Sequence, residues 1–327
     1  MSTESITLDP RGDVTLQVTL PGHRTVDITA CSRVLRRLLP AFERILYMDA
    51  TEANVNEVKN TKWVISLTGD NLSALVTLLN MAHCYLDRVP KTLSMDELYD
   101  LTVVAHRYDA SQLLGPWART WMTAINDIIR DTGVLQPKAL WISWELGQKE
   151  AFMMTAYRML VELEAPELAD NAAMYELLTP PCFIEHLKTA RITAIDKLLA
   201  PIRKNINSLL ASDEDHRWCR HATWMGPRLC ESMILGSLMF SLSRIGLWPL
   251  PDPGDVQVSV ADLSAKISRL RVDDIGKVEG EPPVDHQDCN PQTWILEMTR
   301  NEMRELPNLT SGLHLDHLAK QFRRLNL

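Results

Sequence analysis

Cysteine and histidine are scattered thinly through the 327 residues, with six of one and nine of the other, but one region gathers them. In DEDHRWCRHATWMGPRLCESM, His216, Cys219, His221 and Cys230 lie within fifteen residues, and His286 and Cys289 follow later in DHQDCNP. Zinc prefers four nitrogen or sulfur ligands in a tetrahedron, commonly as two short-range pairs that the fold brings together. Cys219-x10-Cys230 with His286-x2-Cys289 supplies such a set, and these four are the favoured ligands. The alternatives are His216 or His221 in place of one cysteine, or no metal, with buried cysteines beside surface histidines. The spacing is looser than a C-x2-C pair, so the sequence leaves all three open. If metal is held by four Cys/His ligands, the site is structural, because a catalytic zinc keeps one position for water.

Read as a metal-dependent enzyme, the same cluster needs a general base. Glu214 and Glu231 are the nearby carboxylates, and neither stands at a spacing known to activate metal-bound water. Residues 1–130 contain no phosphate-cradling Gly-rich loop, no Ser/His/Asp signature and no helical HExxH pair. A DNA-binding regulator is disfavoured by the net charge of −8, the pI near 5.6 and the lack of a repeated finger spacing. The short basic clusters, Arg33, Arg36 and Arg37, then Arg323 and Arg324, read as solvated helix faces.

Hydrophobic content of 46% and charged content of 23% suit a core-forming chain with room for about two domains. MSTESITLDP has neither the basic start nor the apolar core of a secretory signal. The most apolar run, 232–250, is interrupted by Arg244 and ended by Pro249 and Pro251, which predicts a buried core helix rather than a membrane span. Six spread cysteines without a secretory signal read as reduced thiols or metal ligands, and the expected compartment is the cytoplasm or nucleus.

The elements that position these groups begin with an alternating strand. Val14, Leu16, Val18 and Leu20 share one face, Thr15, Gln17 and Thr19 the other, and Pro21-Gly22 turns the chain into a second strand. Ser32 is the expected cap of a short helix bearing Val34, Leu35 and Leu38, and Pro40 opens another with Phe42, Ile45 and Leu46. Residues 49–60 read as a solvent loop, and KWVISL as a strand with Trp63, Ile65 and Leu67 on one face. Asp70 is the expected cap of a helix reaching about residue 85 through Leu72, Leu75, Val76 and Leu79. Residues 88–90 read as an exposed link. Ser94 and Glu97 form a capping box before a helix with Leu98, Leu101, Ala105 and Tyr108 inward. A further helix over 111–130 buries Leu114, Trp117, Trp121, Ile125 and Ile128.

Strand, strand, helix, helix, strand, helix, helix, helix suggests a small mixed sheet under a helical layer. GDVTLQV, ITACSRVLRRLLPAFERIL, WVISLTGDNLSALVTLLNMAH and VPKTLSMDELYDLTVVAHRYDA, taken together, resemble the BTB/POZ domain in the form carried by many fungal proteins. The resemblance covers residues 13–128. The pieces at 32–35 and 41–46 match the family's "SxVL…SxVFxxML" core, and 104–110 match its "AxxYD" helix end. Cys31 departs from the histidine often found before the serine, so the family's charged pocket is not carried over.

The resemblance implies a non-enzymatic interaction module that forms homodimers or hetero-oligomers. It further implies use as an adaptor or scaffold: some members recruit a cullin-type ubiquitin ligase while a second domain holds the substrate, and a transcription-related scaffold is the other use. The second half reads as helical, with segments over 135–147 and 150–163, where Phe152, Tyr157, Leu160 and Val161 are the expected core. A long segment over 182–210 should break or kink at Pro201, and further helices follow over 260–270, 293–305 and 314–324. The region from Cys219 onward also resembles the C-terminal part of the same fungal proteins, in which two cysteines precede an "LGSL…GLWP" helix and an HxxC follows. The expected fold class is thus an α+β, BTB/POZ-like domain over 1–130 followed by a mainly α-helical domain over 131–327 with the Cys/His site. The expected partners are proteins, with homodimerisation through the helical face of the first domain, and neither nucleic acid nor membrane.

Overall fold

A computed structural model describes residues 4–22, 24–47, 63–131, 133–169, 173–212, 217–221, 228–279 and 284–326. The expected loop over 49–60, His216 and Glu214 lie outside the described residues. The chain is mixed α and β, with a four-stranded sheet and a preponderance of helix. Among the described residues, no helix is long and apolar enough to cross a membrane.

Two compact units form: Met1–Thr155 with Leu177–Pro180 and Thr310–Leu327, and Ala156–Glu176 with Pro181–Leu309. The chain therefore does not divide at residue 130, and its last helix is not part of the second unit.

In the first unit, strands β1 (Glu4–Thr7), β2 (Val14–Thr19), β3 (Thr25–Ala30) and β4 (Trp63–Thr68) form a sheet in the order β1-β3-β2-β4. Strands β2 and β3 are an antiparallel hairpin pairing Leu16 with Ile28 and Val18 with Val26, while β1 joins β3 and β4 joins β2 in parallel. The period-2 alternation explains this register: Val14, Leu16, Val18, Val26, Ile28 and Ala30 are all fully buried, and a one-residue slip would turn each to the other face. Strand β1 has no such alternation, and nothing in its residues marked it as a strand. Of the β4 face expected inward, Leu67 is buried and Trp63 is exposed, because β4 is an edge strand.

Helices α1 (Ser32–Leu38) and α2 (Ala41–Tyr47) follow the hairpin on either side of Pro40. The α1 cap is Cys31 rather than Ser32. Ser32 instead donates its amide and hydroxyl to the Asp13 carboxylate, both at 2.7 Å. Burial raises the Asp13 pKa, but these Ser32 bonds outweigh it and hold the group below its usual value. Likewise α3 (Leu72–Ala82) is capped by Asn71 rather than Asp70. The buried Asp70 carboxylate accepts instead from Tyr108 Oη at 2.6 Å and Arg107 Nη1 at 2.5 Å. Val89, in the segment expected to be exposed, is buried.

The Ser94–Glu97 capping box is complete in both directions at the start of α4 (Met95–Arg107). In α5 (Gly115–Asp131) the inward stripe runs through Ala118, Trp121, Met122, Ile125 and Ile129, one residue on from the expected Ile128.

Helix α6 (Lys138–Glu145) packs on α4, and α12 (Gly312–Arg324) packs on α6, which is why both belong to this unit. At their junction Glu145 is fully buried. It accepts from Ser111 Oγ, from His106 Nδ1 at 3.0 Å and from Gln321 Nε2 at 3.4 Å. Gly147 allows α12 its approach. A Cβ there would lie 2.9 Å from the Leu318 carbonyl oxygen and closer still to the Phe322 amide nitrogen, and φ of +66° is a conformation side chains resist. Gly147→Ala is expected to destabilise the first unit by about 2–4 kcal/mol. A urea midpoint equal to wild type would show that α12 docks without this contact.

Helix α7 (Lys149–Glu162) follows α6, and the second unit is built around α8 (Phe183–Leu210), α9 (Leu229–Arg244), α10 (Val260–Ile267) and α11 (Gln292–Arg304), with a two-stranded ribbon β5 (Lys277–Val278) and β6 (Val284–Asp285). Leu198, Ile202, Ile234, Leu238, Leu263 and Ile295 meet in its core. Helix α8 continues through Pro201 without the expected break, and Asn205 Nδ2 donates to the Pro201 carbonyl at 2.7 Å. Arg191, 5% exposed, donates to the Val256, Gln257 and Val258 carbonyls and so ties that loop to α8. Tyr157, expected in the core, is half exposed. The apolar helix α9 is buried on one face only, through Cys230, Ile234, Leu238 and Leu242.

Candidate metal centre

Three separate pieces of the second unit converge on one point. Cys219 comes from the segment before α9, Cys230 from the first turn of α9, and His286 and Cys289 from a short 3-10 turn, His286–Cys289, that follows β6. The spacing explains each placement. Cys230 precedes Ile234 and Leu238 by four and eight residues, so it lies on the buried face of α9. The x2 spacing in a 3-10 turn of about three residues per turn puts His286 and Cys289 on one side. Asp285 caps that turn by accepting from the Gln287 amide at 3.0 Å, and the His286 amide donates to the Gly276 carbonyl at 3.0 Å. Asn290 Nδ2 donates to the Val272 carbonyl and to Asp274 Oδ2 at 2.7 and 2.8 Å, which fixes the far end.

The potential ligand atoms of Cys219, Cys230, His286 and Cys289 all lie within 4.8 Å of one another. Cys219 Sγ is 3.5 Å from His286 Nδ1 and 3.9 Å from Cys289 Sγ. A tetrahedral zinc, with Zn–S about 2.3 Å and Zn–N about 2.0–2.1 Å, requires about 3.8 Å between sulfurs and about 3.6 Å between sulfur and nitrogen. A disulfide would require about 2.05 Å, and all three cysteines are free thiols. The donor set and its spacing therefore fit a four-coordinate zinc, and the residues brought together are the four favoured from the sequence. His221 stands outside the set: it is exposed, with its ring edge toward His286 at 5.5 Å between centroids.

No known protein family, curated protein or solved structure matches the chain.

The electrostatics of the cluster follow from its burial. The three cysteines are 3–4% exposed. Burial pushes the Cys230 thiol well above its ordinary value, and the neighbouring Cys289 and Cys219 push it further. Cys289 is raised too, by burial first, although the Arg220 amide directed at its sulfur partly opposes this. A cation bound here would displace the thiol protons, so metal uptake would release protons and weaken as pH falls.

Glu231 and Arg217 surround the cluster, and sequence reasoning assigned neither of them this role. The buried Glu231 carboxylate accepts from Arg217 Nε at 2.9 Å and from the Cys219 amide at 3.4 Å. Burial raises the Glu231 pKa, but the bonds from Arg217 and the backbone more than offset this and leave it lowered. Trp218 Nε1 donates to the Cys289 carbonyl at 2.8 Å. The available signal was adjacency: Arg217 and Trp218 directly precede Cys219, and Glu231 directly follows Cys230. Outer partners of this kind commonly affect metal affinity by about 10–100-fold. Glu231→Gln is expected to weaken zinc binding within that range while the full chain still binds one ion. Unchanged affinity in a competition titration with a chromophoric chelator would remove Glu231 from the site.

Proposed function

We propose that the chain is a non-enzymatic protein–protein interaction module. Its first unit is BTB/POZ-like and self-associates, and its second is a helical domain clamped by one structural zinc on Cys219, Cys230, His286 and Cys289. The observation that carries the first part is the order of elements, β2-β3-α1-α2-β4-α3-α4-α5, which follows the residues where the resemblance lies. The resemblance brings with it homodimerisation through the helical face and an adaptor role, for a cullin-type ligase or a transcription-related scaffold.

The second part is supported by the saturated donor set, since four protein ligands leave a zinc no position for substrate. Glu231, the acid beside Cys230, is engaged by Arg217 and by the Cys219 amide instead of being held for proton transfer. The test is light scattering on the full chain at high concentration, combined with metal analysis. A mass of twice 37.1 kDa with one zinc per chain is expected, and a strict monomer would overturn the self-association.

A further inference from the structure

Helix α9 has a second face. Leu229, Met233 and Phe240 lie along it and are 64%, 43% and 64% exposed. Opposite this stripe, the segment carrying Arg271 and Asp273 is fastened to the helix: the Arg271 amide donates to Ser241 Oγ at 2.9 Å, and the Asp273 amide to Ser237 Oγ at 2.7 Å. Between helix and segment runs a cleft of about 540 Å³, lined by Met233, Gly236, Phe240, Arg244, Arg269 and Arg271 among others.

Its charge is unlike that of the chain. In a protein of net charge −8, three guanidinium groups gather here, and none of them has a carboxylate partner among the described residues. Arg244 lies over the Phe240 ring at 4.9 Å, and Arg271 donates to the Leu270 carbonyl at 3.5 Å. Asp273 is the acid of the cleft, and its carboxylate accepts from Ser237 Oγ at 3.3 Å. Unpaired arginines flanking exposed aliphatic and aromatic side chains are the composition that anchors a partner by burial and selects it by charge.

We infer that this cleft binds a short acidic, amphipathic peptide segment of another protein, its apolar side chains on Met233 and Phe240 and its carboxylates on Arg244, Arg269 and Arg271. A polyphosphate backbone would engage the arginines but leave the apolar stripe of Met233 and Phe240 wet. A flat lipid surface would not fill a concave cleft. This goes beyond self-association, because the surface belongs to the second unit, and peptide binding and light scattering can fail separately.

The test is selection of randomised 12-residue peptides, displayed on phage, against the full chain and against Arg244→Glu/Arg269→Glu. Sequences enriched on the wild type alone should combine Asp or Glu with Leu, Phe or Trp. A synthetic fluorescent copy should lose at least tenfold in affinity to the double variant and to Phe240→Ala, measured by anisotropy. It should also weaken severalfold between 0.05 and 0.5 M NaCl on the unaltered chain, a readout that needs no variant to fold. Enrichment equal on both proteins, salt-independent binding, or equal arginine-dependent binding of a dT12 oligonucleotide or of phosphatidylserine vesicles would each overturn the inference.

Discussion

Replacement of Cys219, Cys230 or Cys289 by Ser is expected to release the zinc and abolish the cooperative unfolding of the second unit. The site joins residues separated by 70 positions in the chain, so its ligands are assembled only in the folded state and binding free energy becomes folding free energy. In zinc-finger peptides that free energy is about 10–16 kcal/mol, whereas a whole domain is stable by about 5–15 kcal/mol. Losing even a third of the metal's contribution, about 3–5 kcal/mol, would therefore remove most of the margin of a domain at the lower end of that range. Chelation at neutral pH should produce the same loss, and lowering the pH should make chelation easier, because protons compete for buried thiols whose values burial and neighbouring sulfurs raise. His286→Asn keeps three sulfurs and is expected to be milder. The decisive measurement is calorimetry of the metal-free chain. A second-unit transition at the wild-type midpoint would show that the cysteines are packing residues and nothing more.

The other large effect is expected at Glu145. Truncation to Ala leaves the hydroxyl of Ser111 and the amide of Gln321, 1% and 5% exposed, without their acceptor, and it opens a void between α6 and α12. Each of the two stranded donors costs about 1–3 kcal/mol and the void adds to this, whereas His106, whose side chain is half exposed, regains water. Glu145→Ala is therefore expected to destabilise the first unit by about 3–5 kcal/mol, and Glu145→Gln, which keeps the volume, by less. A denaturant midpoint for Glu145→Ala within error of wild type would show that the network contributes nothing to the fold.

His106 adds a pH signature. Its pKa is raised, chiefly because Glu145 accepts its ring N–H, against the opposing effect of burial. A raised folded-state value means that the contribution is complete below the unfolded value of about 6.5 and is lost as pH climbs through the folded value. His83 and His317 are lowered by burial and act with the opposite sign, so the informative quantity is the difference between wild type and His106→Gln. Wild type should lose its advantage as pH rises above about 6.5. A difference that does not change with pH would remove the ion pair from the account.

How much of this could be read from the chain depends on how local the cause is. The alternation in β2 and β3 and the Ser94–Glu97 cap rest on neighbours within a few residues, and both appear in the fold. The gathering of Cys219, Cys230, His286 and Cys289 was legible because the Cys/His preference of a metal such as zinc picks out residue types that are rare in the chain. What escaped was decided at long range. Asp70 looked like a cap until Tyr108 and Arg107, 38 and 37 residues away, claimed its carboxylate. Glu145 sat in SWELG as an ordinary polar helix position, because its partner Gln321 is 176 residues on. Helix α9 looked uniformly apolar, and composition cannot say that one side of such a helix faces solvent.

The departure of α12 from the helical half has a consequence for how the molecule is made. Residues 156–309 lie, apart from 177–180, between the parts of the first unit. On the ribosome the sheet and α1 to α6 emerge with Glu145 and the groove beside Gly147 uncovered, and Glu145 waits for the 176 further residues that bring Gln321. At about 5–20 residues per second that interval is on the order of ten to thirty seconds. The second unit can fold during it, so the domain begun first is the one completed last. A fragment ending at residue 155 would be a permanent version of that intermediate, with Glu145 keeping Ser111 and His106 but lacking Gln321, and with the surface beside Gly147 uncovered.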